Sequence, residues 1–252
     1  MCEKNRAPGS TREHFNEISA FVDASNVYGY NIPYHLSLRE EGTPYMRVSN
    51  GDNAPLLPEL NVSHSLAGDV RSSENPALAS MHTLFVREHN RVAKGLMDAD
   101  GGETDVAKIF QMARMIVIAE WQSVVFDEYL PILLGSKTAE ELELTTKIYD
   151  NPYDASVNPS IRNEFSTAAF RFGHTMVEGM HRKVDAATAQ QMTPFTLSKN
   201  FFHLTEYMKG EGKGMDQILK GQMDQPSQVR TRQFGGECGV VKTQGVATHA
   251  KV

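Results

Sequence analysis

A mainly α fold is expected for this chain, on three observations. An Asn-Pro pair at 75–76 opens a long apolar stripe of helical period, a second stripe of that period follows it, and no segment alternates cleanly enough to read as a β-strand. The 252 residues, 40% of them apolar before glycine is counted, are enough to bury a real core in one large domain or two small ones. With 25 Lys and Arg against 31 Asp and Glu, the net charge is -6 and no basic run occurs, which argues against nucleic-acid binding.

The elements follow in order. Residues 1–20 are polar, and the first twelve lack the apolar run of a secretory leader. Phe21 to Gly29 is a tight mixed segment. From Tyr30 to Asp69 come Pro33, Pro44, Pro55 and Pro58 among many Asn and Gly, which is loop chemistry of the kind that coats or binds something. A first long helix is predicted over Pro76–Met97, with Leu78, Met81, Leu84, Phe85, Val92 and Leu96 at three- and four-residue steps, and Gly101-Gly102 breaks it. A second, over Thr104–Phe126, carries Ile109, Met112, Ala113, Ile116 and Val124, with Pro131 ending its continuation and Gly135 following. A third runs over Pro159–Gly179, and shorter helices are expected around 197–208 and 216–223. Residues 229–252 carry glycine and small polar residues with no helical stripe and read as a poorly ordered tail.

Other signals are sparse. No apolar run approaches the roughly 18 residues needed to span a bilayer. Cys2 and Cys238 stand at opposite ends with no CxxC spacing, which excludes a thiolate zinc site or a redox dithiol. One sequon, Asn61-Val62-Ser63, matters if the chain is secreted.

Three constellations could carry chemistry. At about 100° per residue along the third helix, Ile161, Phe165, Ala168, Ala169, Phe172 and Met176 share one sector, and His174 points nearly opposite, beside Phe170 and Thr167 and near Arg171. A helix apolar on both sides is normally buried, so His174 is either a hydrogen-bonded core histidine or an axial metal ligand. In Arg71-Ser72-Ser73-Glu74-Asn75-Pro76, the hydroxyls and the carboxylate suit a helix start. Arg71 does not, so Arg71 and Glu74 could instead face an anionic prosthetic group. In Ser19 to Ser25 an extended chain would turn Ser19, Phe21, Asp23 and Ser25 to one side, offering hydroxyl, carbonyl and carboxylate oxygens to a hard cation, or else forming an Asp-led turn.

Together these stretches resemble the animal haem peroxidases, the myeloperoxidase, thyroid peroxidase and peroxidasin group. The resemblance rests on FVDASNVYG (21–29), AGDVRSSENPALASMHTLFVREHNRVA (67–93), ARMIVIAEWQ with YLPILLG (113–135), VNPSIRNEFSTAAFRFGHTMVEG (157–179) and, more weakly, GMDQILKGQM (214–223). It implies a multi-helix fold with long irregular loops, present incompletely over residues 1–228. It implies haem b, with His174 as proximal iron ligand, Arg171 near a propionate, Arg71 as the distal arginine, and Glu74 as the carboxylate that esterifies a haem methyl. Asn75 stands where myeloperoxidase has methionine, so no sulfonium link is implied. Ser19, Phe21, Asp23 and Ser25 resemble the family's calcium loop, and Glu88-His89-Asn90 a structural helix face. The implied activity is oxidation of a halide or small organic donor by hydrogen peroxide, in an extracellular or secretory setting without a membrane span.

The departures count equally. The family's distal histidine lies in an Asp-His-Asp motif that also carries a calcium-ligating aspartate and a second esterifying carboxylate, and no Asp-His-Asp occurs here. The chain also diverges near Val229, before the asparagine that accepts from the proximal histidine. The resemblance therefore implies an interior portion of a longer domain, with Cys2 separated from its usual partner and peroxidase activity weak or nil. The alternative is a catalytically inactive extracellular interaction or matrix module.

Overall fold

The computed structural model describes residues 16–49, 54–61, 63–99, 105–144, 146, 153–210 and 212–227. The tail reading over 229–252 and both cysteines lie outside these residues. The chain begins with short helices, α1 (Ser25–Tyr28) and α2 (Ile32–Ser37). Asn31 caps α2 by accepting from the Tyr34 N–H at 2.9 Å, with Pro33 in the first turn. A small hairpin, β1 (Glu59–Asn61) with β2 (His64–Ser65), then leads through a 3-10 turn at Val70–Ser73 into the long helix α3 (Pro76–Ala99). As predicted, Asn75 opens α3, its side chain accepting from the Leu78 N–H at 3.0 Å.

Helix α4 (Val106–Ser123) starts at Asp105, whose carboxylate accepts from the N–H groups of Ala107 and Lys108. Contrary to expectation, Pro131 does not end the helical path. The chain widens into a π-helical turn at Val124–Tyr129 and continues as α5 (Leu130–Leu134), ending at Gly135 with φ 86. Proline is tolerated there because it sits in the first turn of α5, where a missing N–H breaks no bond. The joined path, Val106–Leu134, is 29 residues long and by length and composition is apolar enough to cross a membrane, although Lys108, Arg114, Glu120, Asp127 and Glu128 interrupt any continuous apolar run. One stripe of it, Ile109, Phe110, Ala113 and Val117, is buried in the protein core.

After α6 (Ser136–Glu141) the third predicted helix is not continuous. It is a short α7 (Asn163–Thr167), a break at Ala168 (φ -127, ψ -66), and a 3-10 helix at Ala169–Met176. Most of it is exposed: Ile161, Phe165, Phe170 and Phe172 are 40–54% accessible. Helices of this length draw their stability from packing, and the described residues do not cover this one.

Two strands then appear where none was expected. β3 (Met180–Val184) pairs antiparallel with β4 (Gln191–Thr196), and in β3 the inward positions are His181 and Lys183. Polar residues on the buried face conceal the alternation that signals a strand. Lys183 pairs with Glu206 at 2.5 Å, and His181 Nδ1 meets the Gln222 side-chain amide at 3.0 Å while its Nε2 is buried without a partner among the described residues. The helix expected around 197–208 divides into a 3-10 turn at Leu197–Lys199 and α8 (Thr205–Met208), separated by Phe202 at φ 54. The last helix, α9 (Lys213–Met223), packs on α3 and β3.

Two apolar clusters flank α3. One joins Val27, Tyr28, Leu38, Met46, Val86 and Ala93 to the α4 stripe, and the other joins Ala79 to Phe195, Leu204, Tyr207, Met215 and Ile218. In α3 the buried set is Pro76, Ala79, Ser80, His82, Thr83, Val86, His89, Val92 and Ala93. Of the predicted stripe, Val92 is buried and Leu84, Phe85 and Leu96 pack against the two clusters, whereas Met81 is 44% accessible.

Candidate functional site

Two segments distant in sequence form one cleft of about 560 Å³. Gly68 sets their separation: a Cβ there would stand 2.5 Å from the Val27 carbonyl carbon, so only glycine lets the 67–71 segment lie against the backbone of α1. The cleft is lined on one side by Ser19, Phe21, Asp23, Ser25 and Asn26, and on the other by Asp69, Arg71, Glu74, Leu78 and His82. Trp121 and Val125 from the α4 path and Phe170 complete an apolar wall.

Arg71 does not stand alone. Its Nε donates to Asp69 Oδ1 at 2.9 Å and its Nη2 to Asp69 Oδ2 at 2.5 Å, a forked ion pair. Asp69 Oδ1 also accepts from the Arg71 N–H at 2.8 Å, so one carboxylate caps the 3-10 turn and aims the guanidinium. Burial alone would push the Asp69 carboxyl up, but its bonds to Arg71 outweigh burial and hold it below the usual range. The hydrogen bond to Asp69 correspondingly raises Arg71. Glu74, half-buried at the end of the same turn, makes no side-chain hydrogen bond among the described residues. Its backbone carbonyl accepts from Phe202 at 2.9 Å. Of the helix-start residues, Ser73 turns inward and accepts from the Ser65 N–H at 2.9 Å.

The 19–25 segment is not extended, as the alternation argument required. It makes two tight turns, Ser19 Oγ accepting from the Phe21 N–H at 3.1 Å and Asp23 Oδ1 from the Ser25 N–H at 3.0 Å, then passes through Ala24 at φ 53. Turns rather than alternation bring all four residues to the cleft. Hydroxyl and carboxylate oxygens keep lone pairs for a hard cation, but Asp23 is the only carboxylate among the four. Among the described residues no three His, Cys, Asp or Glu side chains gather as a metal group.

His174 stands elsewhere. It is exposed on the 3-10 helix, outside the cleft lining, and no hydrogen-bond partner for its ring occurs among the described residues. The expectation of a second buried object against it is not met. Arg171 lies three residues earlier on the same 3-10 face, its Nε donating to the Ser166 carbonyl at 3.0 Å. The donor chemistry suits a haem: a free imidazole, a guanidinium beside it, and a cleft pairing an apolar wall with Arg71 and Glu74. The described structure does not bring the imidazole and the cleft together.

Asp69 and His82 escaped the sequence reading. His82 follows Glu74 and Leu78 at four-residue steps, a visible signal that these three share a face. Its Nδ1 lies 3.0 Å from the Asn26 carbonyl, so Nδ1 carries the proton and ties α3 to the 19–26 loop, and burial keeps the ring's pKa below its ordinary value. The Glu88-His89-Asn90 stretch is structural. His89 Nε2 donates to the Pro44 carbonyl at 3.1 Å, so its Nδ1 accepts from the Tyr28 hydroxyl at 2.9 Å. Asn90 accepts from the Met46 N–H and donates to the Met46 carbonyl.

The sequence profile of the animal haem peroxidase family matches residues 1–238. The chain belongs to that family. It is 35% identical to a peroxidasin homolog of Caenorhabditis briggsae over 235 residues, covering 85% of this chain and 18% of the relative. It is 35% identical to human myeloperoxidase over 247 residues, 88% of this chain and 32% of that protein. Among solved structures, peroxidase A from Dictyostelium discoideum superposes with a TM-score of 0.68 at 28% identity, covering 81% of this chain and 39% of that one. The chain thus spans less than half the length of these relatives, and the mainly α architecture is the family's.

Proposed function

We propose that this chain is part of a haem-dependent peroxidase in which hydrogen peroxide is the oxidant and a halide or small organic molecule the donor, in an extracellular or secretory setting. The observation that carries this reading is the joint placement of Arg71 and Glu74 in one cleft against the 19–25 loop. When bound, haem b supplies the redox chemistry that splits the peroxide O–O bond. His174 would hold its iron, Arg171 would offer a fork to a propionate, and Glu74 would form the ester to the macrocycle.

Arg71 is the catalytic residue of this set. Asp69 engages Nε and Nη2, leaving the Nη1 donors free for the negative charge that develops on the departing oxygen. Because the pair is preformed, the guanidinium need not reorient during the reaction. Ser19, the Phe21 carbonyl, Asp23 and Ser25 would bind calcium, bracing the loop that His82 ties to α3. With no Asp-His-Asp motif in the sequence, turnover by the 252-residue chain itself is expected to be low.

A second reading, a catalytically inactive extracellular module, is favoured by the exposure of His174 away from the cleft. One experiment separates the two. Residues 1–252 are reconstituted with haemin, and the Soret band and guaiacol oxidation are recorded for the native chain and for His174→Ala. A histidine-ligated spectrum that His174→Ala abolishes supports the peroxidase reading. A chain that folds yet gives the spectrum of free haemin, unchanged by His174→Ala, supports the inactive module.

A further inference from the structure

The hairpin β1–β2 lies in sequence between the two segments that form the cleft, and none of its residues lines it. Its exposed first strand ends at Asn61, the first residue of the sequence's single Asn-X-Ser/Thr triplet with a middle residue other than proline. We propose that Asn61 is an N-glycosylation site, taking an oligosaccharide from a lipid-pyrophosphate donor. The proposal rests on the secretory reading above and on the local geometry of Asn61 and Ser63.

Asn61 is exposed, and its Oδ1 accepts from the Ser63 N–H at 2.9 Å, closing a tight turn around the middle residue. A backbone N–H can only donate, so the atom facing it is the amide oxygen, and this settles which way the side chain points. The His64 Nδ1 lies 3.2 Å from that same oxygen. The amide nitrogen is therefore the end left over, with no hydrogen bond among the described residues. Ser63, which supplies the hydroxyl of the triplet, likewise makes no hydroxyl hydrogen bond among the described residues. Among the described residues, the nucleophilic atom and the recognition hydroxyl are both unengaged.

The chemistry balances without an external oxidant or reductant. The Asn61 Nδ2 attacks the anomeric carbon of the lipid-linked oligosaccharide, and a C–N bond forms as the C–O bond to pyrophosphate breaks. The pyrophosphate leaves with the bonding pair, and one amide proton passes to a base of the transferase.

The chain holds its own control. Asn158-Pro159-Ser160 makes the same turn, Asn158 Oδ1 accepting from the Ser160 N–H at 3.0 Å, and all three residues are exposed. Proline in the middle fixes φ and bars the triplet as an acceptor. Exposure and turn geometry are shared, so the two asparagines are expected to differ in modification for that reason alone.

The test is translation of the full chain behind an appended cleavable signal sequence in the presence of endoplasmic-reticulum microsomes. The expected result is a single mobility shift of the protease-protected chain, reversed by an N-glycanase, absent in Asn61→Gln and Ser63→Ala, and retained in Asn158→Gln. A protected chain of unshifted mobility, or a shift that persists in Asn61→Gln, overturns the proposal. Neither readout involves haem, so failure here and failure of the peroxidase reading are separately visible.

Discussion

Two regions of this molecule carry family motifs of similar length and behave in opposite ways. Around α3 and α4, buried polar side chains meet partners from distant segments: His89 between Tyr28 and Pro44, Thr83 against Tyr207, His82 on Asn26. Across 157–177, aromatic and aliphatic side chains stand in solvent, and the α-helix gives way to a 3-10 turn. The first region shows that hydrogen-bonded polar residues build a core as securely as apolar ones. The second shows that an apolar stripe without a covering surface does not sustain an α-helix. The candidate site straddles both, with Arg71 and Glu74 on the braced side and His174 on the uncovered one.

The sharpest contrast is between two phenylalanines. Phe110 is fully buried among Tyr28, His35 and His89, so Phe110→Ala is expected to cost about 3–5 kcal/mol. Phe172→Ala, in the exposed segment, should change stability by no more than about 0.5 kcal/mol, and urea unfolding of the pair measures the difference. Comparable losses at both positions would erase the distinction.

A pH series sharpens it next. Burial lowers the His89 pKa from 6.5 to about 4, so the unfolded chain binds the extra proton across that window. Stability attributable to His89 is fully present above pH 6.5 and is lost as the pH falls toward 4, a difference of about 3 kcal/mol. In His89→Phe this component of the Tm–pH slope should vanish. Tyr207→Phe ranks third. It leaves the buried Leu57 N–H, now bonded to the Tyr207 hydroxyl at 2.9 Å, without a partner, at about 1–3 kcal/mol by chemical denaturation.

A small stability effect is also expected at the residue proposed as catalytic. The Arg71 side chain is 62% accessible even though paired, so Arg71→Leu should cost no more than about 1 kcal/mol. Under the peroxidase reading the same change removes whatever peroxide turnover the reconstituted chain shows. A large loss of stability with turnover intact would reassign Arg71 to the fold.

Much of the architecture was legible in the linear chain. The Asn75 cap, the α3 and α4 periods and the turn chemistry of 30–69 are local signals, because caps, periods and prolines act over a few residues. The site was legible in part: the Arg71–Glu74 stretch and the 19–25 loop do share a cleft, but Asp69 and His82 were hidden because each is defined by its partner. Strand β3 was hidden for the same reason, its inward His181 and Lys183 being polar residues whose partners, Gln222 and Glu206, come from far along the chain.

Periodicity and spacing were therefore enough to give the mainly α class and the places where helices begin, and the quoted motifs to show the resemblance to the family. Folding in three dimensions chose which face of each helix turns inward, carried α4 past Pro131, and left His174 apart from the Arg71 cleft. The reason is physical. Periodicity is set by backbone geometry that each residue carries with it, whereas burying a polar group or covering an apolar one depends on a partner supplied from far along the chain.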